Sequence, residues 1–230
     1  MTRALVVHHD ANSTAGIVGD VLMADGVELA HHTICTTLGS PEPGGALPDL
    51  DGHDLLVLTG SRWSVHDLDT IGAWITDELE LIRDADRRGI PTLGLCFGGQ
   101  ALAAAHGGRV VPSDDPEIGW YDIETTRPDV IAAGPWFEWH FDRFDPPPGS
   151  TVLARSAAAT QAFRLGPHLG LQFHPELDAE LLALWILDDA DQLTEAGIDV
   201  AELVASTVRH QEAARPNTAR LVRWWLDGLP

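Results

Sequence analysis

Cysteine is scarce in this chain: 230 residues include only two, Cys35 and Cys96. So few exclude a disulfide framework, and reduced thiols in a cytoplasmic setting are the expectation. Long apolar runs are missing as well. No stretch approaches the ~20 residues of a membrane-spanning helix, and the first residues show no charged-then-apolar leader. The Asn12-Ser-Thr14 sequon is therefore expected to stay idle. Basic residues are the third shortage. Against 35 Asp and Glu stand 14 Lys and Arg, a formal charge of -21. Such a surface repels nucleic acid and anionic membranes, so neither is expected as a partner. Internal repeats and low-complexity tracts are absent too.

What remains suffices for one α/β domain, since 44% of the residues are hydrophobic and a chain of this length buries a substantial core. Arg3–His9, Val27–Thr33 and Asp54–Leu58 read as strands. A helix capped within Asp10–Thr14 runs to about Asp25, and Ile71–Arg88 has helical spacing. Ser40–Asp51, rich in proline and glycine, is a loop. Further strands are expected at Arg109–Pro112, Gly119–Thr126, Thr151–Arg155, Gln161–Leu165 and Leu169–Phe173. Helices follow at Ala179–Leu187, Val200 to about Gln211, and Ala219–Leu226. Alternating strands and helices, then a run of strands, predict a mostly parallel central sheet flanked by helices, with an antiparallel portion added. The last two helices exceed the needs of the core. They are expected to pack over the sheet, a docking surface around Trp224 and Trp225 being the other reading. The His8-His9 and His31-His32 pairs point to opposite faces of their strands and lack accompanying ligands, so they are read as core or surface histidines. Asp114, Asp115 and Glu117 are read as a solvated loop.

One stretch departs from these ordinary elements. Gly89-Ile-Pro-Thr-Leu-Gly-Leu-Cys96-Phe-Gly-Gly-Gln100 passes from an apolar run through a glycine-flanked corner into alanine-rich sequence, which reads as strand, tight turn, helix. The corner, Gly94-x-Cys96-x-Gly98, is the cysteine counterpart of the Gly-x-Ser-x-Gly nucleophile elbow. A cysteine there sits over the first unpaired N–H groups of a helix, which favours a thiolate. A lone cysteine at a strand end is ordinarily a packing residue, and Cys35, without flanking glycines or a base motif, is read that way. A thiol nucleophile needs a base and an orienting group. Gln172-Phe-His174-Pro-Glu176 offers both, because residues two apart on an extended segment share a side and Pro175 biases His174 toward that conformation. Cys96, His174 and Glu176 form the candidate catalytic set.

With these motifs in this order the chain resembles the class I (triad) glutamine amidotransferases, in particular stand-alone proteins similar to the glutaminase domain of GMP synthase. The resemblance also rests on Leu58-Thr-Gly60-Ser61, Glu117-Ile-Gly-Trp120 and Trp139-His140-Phe-Asp142. It implies a flavodoxin-like α/β fold over residues 1–188, with residues 189–230 as extra helices packed on the same domain. The implied reaction is hydrolysis of the glutamine side-chain amide through a Cys96 thioester, supplying ammonia to an acceptor reaction on a separate enzyme. A γ-glutamyl peptidase acting on γ-glutamyl conjugates and a non-catalytic regulatory relative are the rival readings. In the family the Gly60–Ser61 loop and the residue after the nucleophile, here Phe97, supply the oxyanion-hole N–H groups; loss of one typically costs ~100-fold or more in rate. The family usually has Gly-Gly-Pro where this chain has Gly60-Ser61-Arg62, and Ser61 would carry a positive φ less easily than glycine. By the same resemblance Gln100 contacts the substrate, and His140 or Asp142 meets its α-amino or α-carboxylate group; a packed aromatic loop is the other reading of Trp136–Asp142. Neither a cofactor nor a metal is expected.

Overall fold

A single nine-stranded sheet organises the molecule, a computed structural model describing residues 1–229. Its parallel half is built from β1 (Arg3–His8), β2 (Glu28–Thr33), β3 (Leu55–Leu58), β4 (Thr92–Leu95) and, far along the chain, β9 (His168–Leu171). These stand in the order β2-β1-β3-β4-β9. Strands β3, β4 and β9 are buried along their whole length, as mostly apolar strands under helices on both faces should be. Alternation assigns the faces. Ala4, Val6, Leu55, Val57, Leu93 and Leu95 enter one core, with α1 (Gly16–Ala24) and the C-terminal α7 (Val200–Asp227). Leu5, Val7, Leu56 and Leu58 enter the opposite core, with α3 (Ile75–Arg87) and α4 (Phe97–Ala105).

Beyond β9 the sheet continues antiparallel through β8 (Thr160–Leu165), β7 (Thr151–Arg155), β5 (Arg109–Thr125) and β6 (Gly134–Asp145). Here the structure corrects the sequence reading. The two strands expected at 109–112 and 119–126 are one strand whose register with β6 shifts between Pro112 and Glu117. Pro112 and Pro116 remove ladder donors, and the irregularity absorbs them. The aromatic segment is not a loop: β6 carries it, with Trp136, Phe137, Glu138, His140 and Asp142 buried. The Ile71–Arg88 helix is split into α2 (Leu68–Ile71) and α3, with Gly72 between them. Strand β9 ends at Leu171, two residues early.

The C-terminal region differs most. After α5 (Ala179–Asp188), a short α6 (Ala190–Glu195) appears that the sequence pattern did not announce. The two helices expected beyond it are one 28-residue helix, α7, running through Pro216. Proline costs an interior helix hydrogen bond, but the helix is held on both sides of it by burial of Leu203, Thr207, Thr218, Leu221 and Trp225. Trp225 is 2% exposed and donates through Nε1 to the Pro167 carbonyl, 2.9 Å. Trp224 is covered by the guanidinium groups of Arg127 and Arg164. A docking surface around these two tryptophans is therefore not what the structure presents.

Candidate active site

The C-terminal ends of β1, β3, β4 and β9 converge, the position at which open α/β sheets hold their ligands. Strand β4 ends at Cys96, which caps α4 with φ 49° and ψ -105°. Cys96 is the one non-glycine residue with positive φ among the described residues, and such strain persists only where the surroundings impose it. They do. Cys96 N–H donates to the Leu171 carbonyl (2.9 Å) and Gly98 N–H to the Thr59 carbonyl (3.1 Å). A Cβ on Gly94 would stand 2.3 Å from the Gly98 carbonyl oxygen, and one on Gly98 would stand 2.4 Å from that of Leu58. The glycines of the motif are thus set by close packing of backbone on backbone. Ser61 escapes the positive φ that its place in the motif made a concern.

Residues 172–176 leave β9 and turn, with Leu177 N–H reaching the His174 carbonyl at 3.3 Å. The extended geometry expected for His174 and Glu176 is replaced by this turn, which still brings them together. His174 Nδ1 lies 2.7 Å from Glu176 Oε1, both side chains being buried. Burial opposes charge on this imidazole, but the Glu176 carboxylate and then the Cys96 sulfur hold its pKa well above the ordinary histidine value. Cys96 Sγ and His174 Nε2 converge on one backbone oxygen, that of Trp139, at 3.7 and 3.5 Å. Gly60 lies against both side chains: a Cβ there would be 3.2 Å from His174 Cε1 and 3.9 Å from Cys96 Cβ. Cys35, by contrast, is wholly buried, and burial pushes its thiol up to about 11.

Several contributors escaped the sequence reading. His9, at the end of β1, bonds the Gly60 carbonyl through Nδ1 (3.0 Å) and Glu78 through Nε2 (2.8 Å). Ser13 Oγ donates to the same carbonyl at 3.1 Å. Fixing that oxygen fixes the planar Gly60–Ser61 peptide, whose N–H points the other way. Gln172 Nε2 donates to Cys96 Sγ (3.6 Å), and Trp185 packs edge-on against the His174 ring, 4.8 Å between centroids. The doubled histidine at 8–9 was the sequence's only hint of this support. By comparison, His8 pairs with His31 at 2.9 Å, and burial lowers its pKa to about 4.

Gln100, His140 and Asp142 are brought together behind the elbow. Gln100 Nε2 donates to the Asp142 carbonyl (3.2 Å) and to Gln172 Oε1 (3.3 Å). His140 Nδ1 meets the same carbonyl at 3.0 Å, while Nε2 lies 3.2 Å from Glu117 and 3.4 Å from Glu138. Glu117, expected in a solvated loop, is buried and also accepts from Ser156 and Gln161. The Asp142 carboxylate lies 3.8 Å from His66 Nδ1. A cavity of about 70 Å³ opens over Gly60, Ser61, His174 and Glu176. Gln100, His140 and Asp142 are not in its lining.

The elbow on an open α/β sheet defines a class of architecture shared with solved proteins. The chain superposes on a glutamine amidotransferase from Methylobacillus flagellatus with a TM-score of 0.85, 26% identity, and coverage of 100% of this chain and 96% of that one. A Thermotoga maritima glutamine amidotransferase gives 0.83, 26%, and 98% of each chain. The chain belongs to the class-I glutamine amidotransferase family, whose profile matches residues 50–189. It is 36% identical over 156 residues to the glutamine-hydrolysing GMP synthase of Thermomicrobium roseum, covering 64% of this chain and 27% of the synthase. It is 29% identical over 186 residues to γ-glutamyl peptidase 2 of Arabidopsis thaliana, covering 75% and 72%. The chain spans about half, 51%, of a glutamine-hydrolysing GMP synthase subunit from Ignicoccus hospitalis.

Proposed function

We infer that the protein hydrolyses the side-chain amide of glutamine, or the amide of another γ-glutamyl compound, through a thioester on Cys96. The observation that carries this reading is the convergence of three elements: a strained elbow cysteine, a buried His174 bonded to Glu176 at 2.7 Å, and Gly60 packed against both. Cys96 Sγ attacks the amide carbon while His174, held protonated by Glu176, delivers a proton to the departing nitrogen. Water then adds to the thioester with His174 taking its proton, releasing glutamate and restoring the thiol. Peptide N–H groups of the Gly60–Ser61 loop and of Phe97 would hold the oxyanion. Gln100 and Asp142 would receive the α-amino and α-carboxylate groups. His140, with both ring nitrogens engaged, would hold that wall in place.

Release of ammonia to a separate acceptor enzyme is the first form of this function, in line with a relative named as one subunit of a GMP synthase. Hydrolysis of γ-glutamyl conjugates is the second, favoured by the peptidase relative, most of whose length the chain matches. Ammonia release from glutamine and amine release from γ-glutamyl amides, measured on the same preparation, separate the two. Cys96→Ala should abolish both activities, by roughly 1000-fold or more, together with the γ-glutamyl adduct seen by mass spectrometry. Retained turnover would refute the assignment, and an unreactive Cys96 in the native protein would favour a non-catalytic relative.

A further inference from the structure

We propose that the cavity beside His174 takes the amine half of a γ-glutamyl amide whose amine carries a second, positively charged nitrogen, as in a diamine or polyamine conjugate. This rests on the γ-glutamyl amidase reading above and names its leaving group. The cavity is placed to receive that group, since His174, the proton donor to the leaving nitrogen on that reading, and Gly60, which packs against the Cys96 side chain, both form part of its wall, although Cys96 itself does not. The cluster that would receive the α-groups does not line it.

Charge and shape of the wall then select the amine. Asp10, Asp188 and Asp189 line the cavity, and Arg62 is the one arginine or lysine among the described residues that does. Arg62 is already committed, donating to the Asp189 carboxylate and, at 3.2 Å, to the Asp188 carbonyl. Asp10 and Asp188 accept only from neutral donors of Asn12, its backbone N–H and its side-chain amide respectively. Two carboxylates therefore face the cavity without a compensating cation. Glu176, also in the wall and 1% exposed, spends Oε1 on His174 and leaves Oε2 buried without a hydrogen-bond partner. Trp139 and Trp185, edge to face with centroids 5.8 Å apart, add aromatic surface suited to a methylene chain or an ammonium group. An amine ending in a carboxylate, such as the dipeptide released from a glutathione-like conjugate, would meet like charge.

The test compares kcat/KM of the full chain for γ-glutamyl-1,4-diaminobutane, γ-glutamyl-n-pentylamine of equal length without the charge, and γ-glutamyl-β-alanine. The expected order is cationic, neutral, anionic, with at least tenfold between the first two at low salt. That ratio should shrink as NaCl rises and screens the pair. Asp188→Asn and, independently, Asp10→Asn should compress the ratio to below threefold. Asp189→Asn, by releasing Arg62, should improve the anionic amide relative to the cationic one. Equal turnover of the cationic and neutral amides, or preference for the anionic one, overturns the proposal while leaving the amidase reading intact. Failure of all three amides and of glutamine, with no γ-glutamyl adduct on Cys96, removes both.

Discussion

Glu176 illustrates how a single carboxylate sets the chemistry of its neighbour. It counters the burial of His174 and favours the charged imidazole, with Nε2 turned toward the Trp139 carbonyl that Cys96 Sγ also meets. Glu176→Gln keeps the shape and removes the charge, so the His174 pKa should fall toward the ordinary range. Turnover should drop by ~10²–10⁴-fold, the order seen when a triad carboxylate is neutralised. Titration of the imidazole by NMR checks the first expectation and steady-state kinetics the second; an unmoved pKa would argue that the Cys96 sulfur, not Glu176, holds the His174 pKa up against burial. Cys96, His174 and Glu176 were legible in the sequence because their chemistry resides in side chains at recognisable spacings. The Trp139 carbonyl that meets both sulfur and imidazole was not, because every residue has a carbonyl. The His9 and Ser13 grip on Gly60 was hidden for the same reason.

At the level of elements, β6 carries the most polar core of the molecule. Glu138 is fully buried with only the 3.4 Å approach of His140 Nε2 described above, and burial raises its pKa to about 7. His140 beside it loses from burial, yet Glu117 and Glu138 raise it to about 10. Both shifts are upward, so the folded protein binds protons that the unfolded chain has released. The Glu138 contribution to stability is complete below the ordinary carboxyl pKa and lost as pH rises through about 7. That of His140 is complete below about 6.5 and lost toward about 10. Urea unfolding should therefore show stability declining from mildly acidic to alkaline pH, by up to about 1.4 kcal/mol per pH unit for each proton. Glu138→Gln should flatten the decline between about pH 5 and 7; an unchanged slope would place the titration elsewhere. The sequence hid this strand behind its aromatic residues and prolines, which suggest a loop until pairing with β5 supplies the missing alternation. Pro216 misled in the opposite way, since packing of α7 on both sides of it outweighs the broken hydrogen bond.

The whole molecule is dominated by one sign of charge. All 14 basic residues are arginines, set against 35 acids. Several arginines tie distant elements, as Arg215 to Asp20 (2.9 Å) and Arg223 to Asp25 (2.8 Å) join α7 to α1. Solvent screens these exposed pairs, which contribute too little to offset self-repulsion across the surface. Melting temperature should rise between about 20 and 300 mM NaCl as the Debye length shortens from roughly 20 Å to under 8 Å. A fall over that range would show that the pairs outweigh the repulsion. Strand-and-helix alternation foretold the parallel half of the sheet, while the position of β9 beside β4 lay outside any local pattern. Under the function proposed above, its placement governs when the protein can first act. A ribosome-bound chain that has emitted the elbow has yet to emit the segment that contains the imidazole, which follows the strands β5 to β9 in the chain. Until that segment is made Cys96 has no imidazole beside it, so on the function proposed above an unfinished polypeptide carries a dormant sulfur.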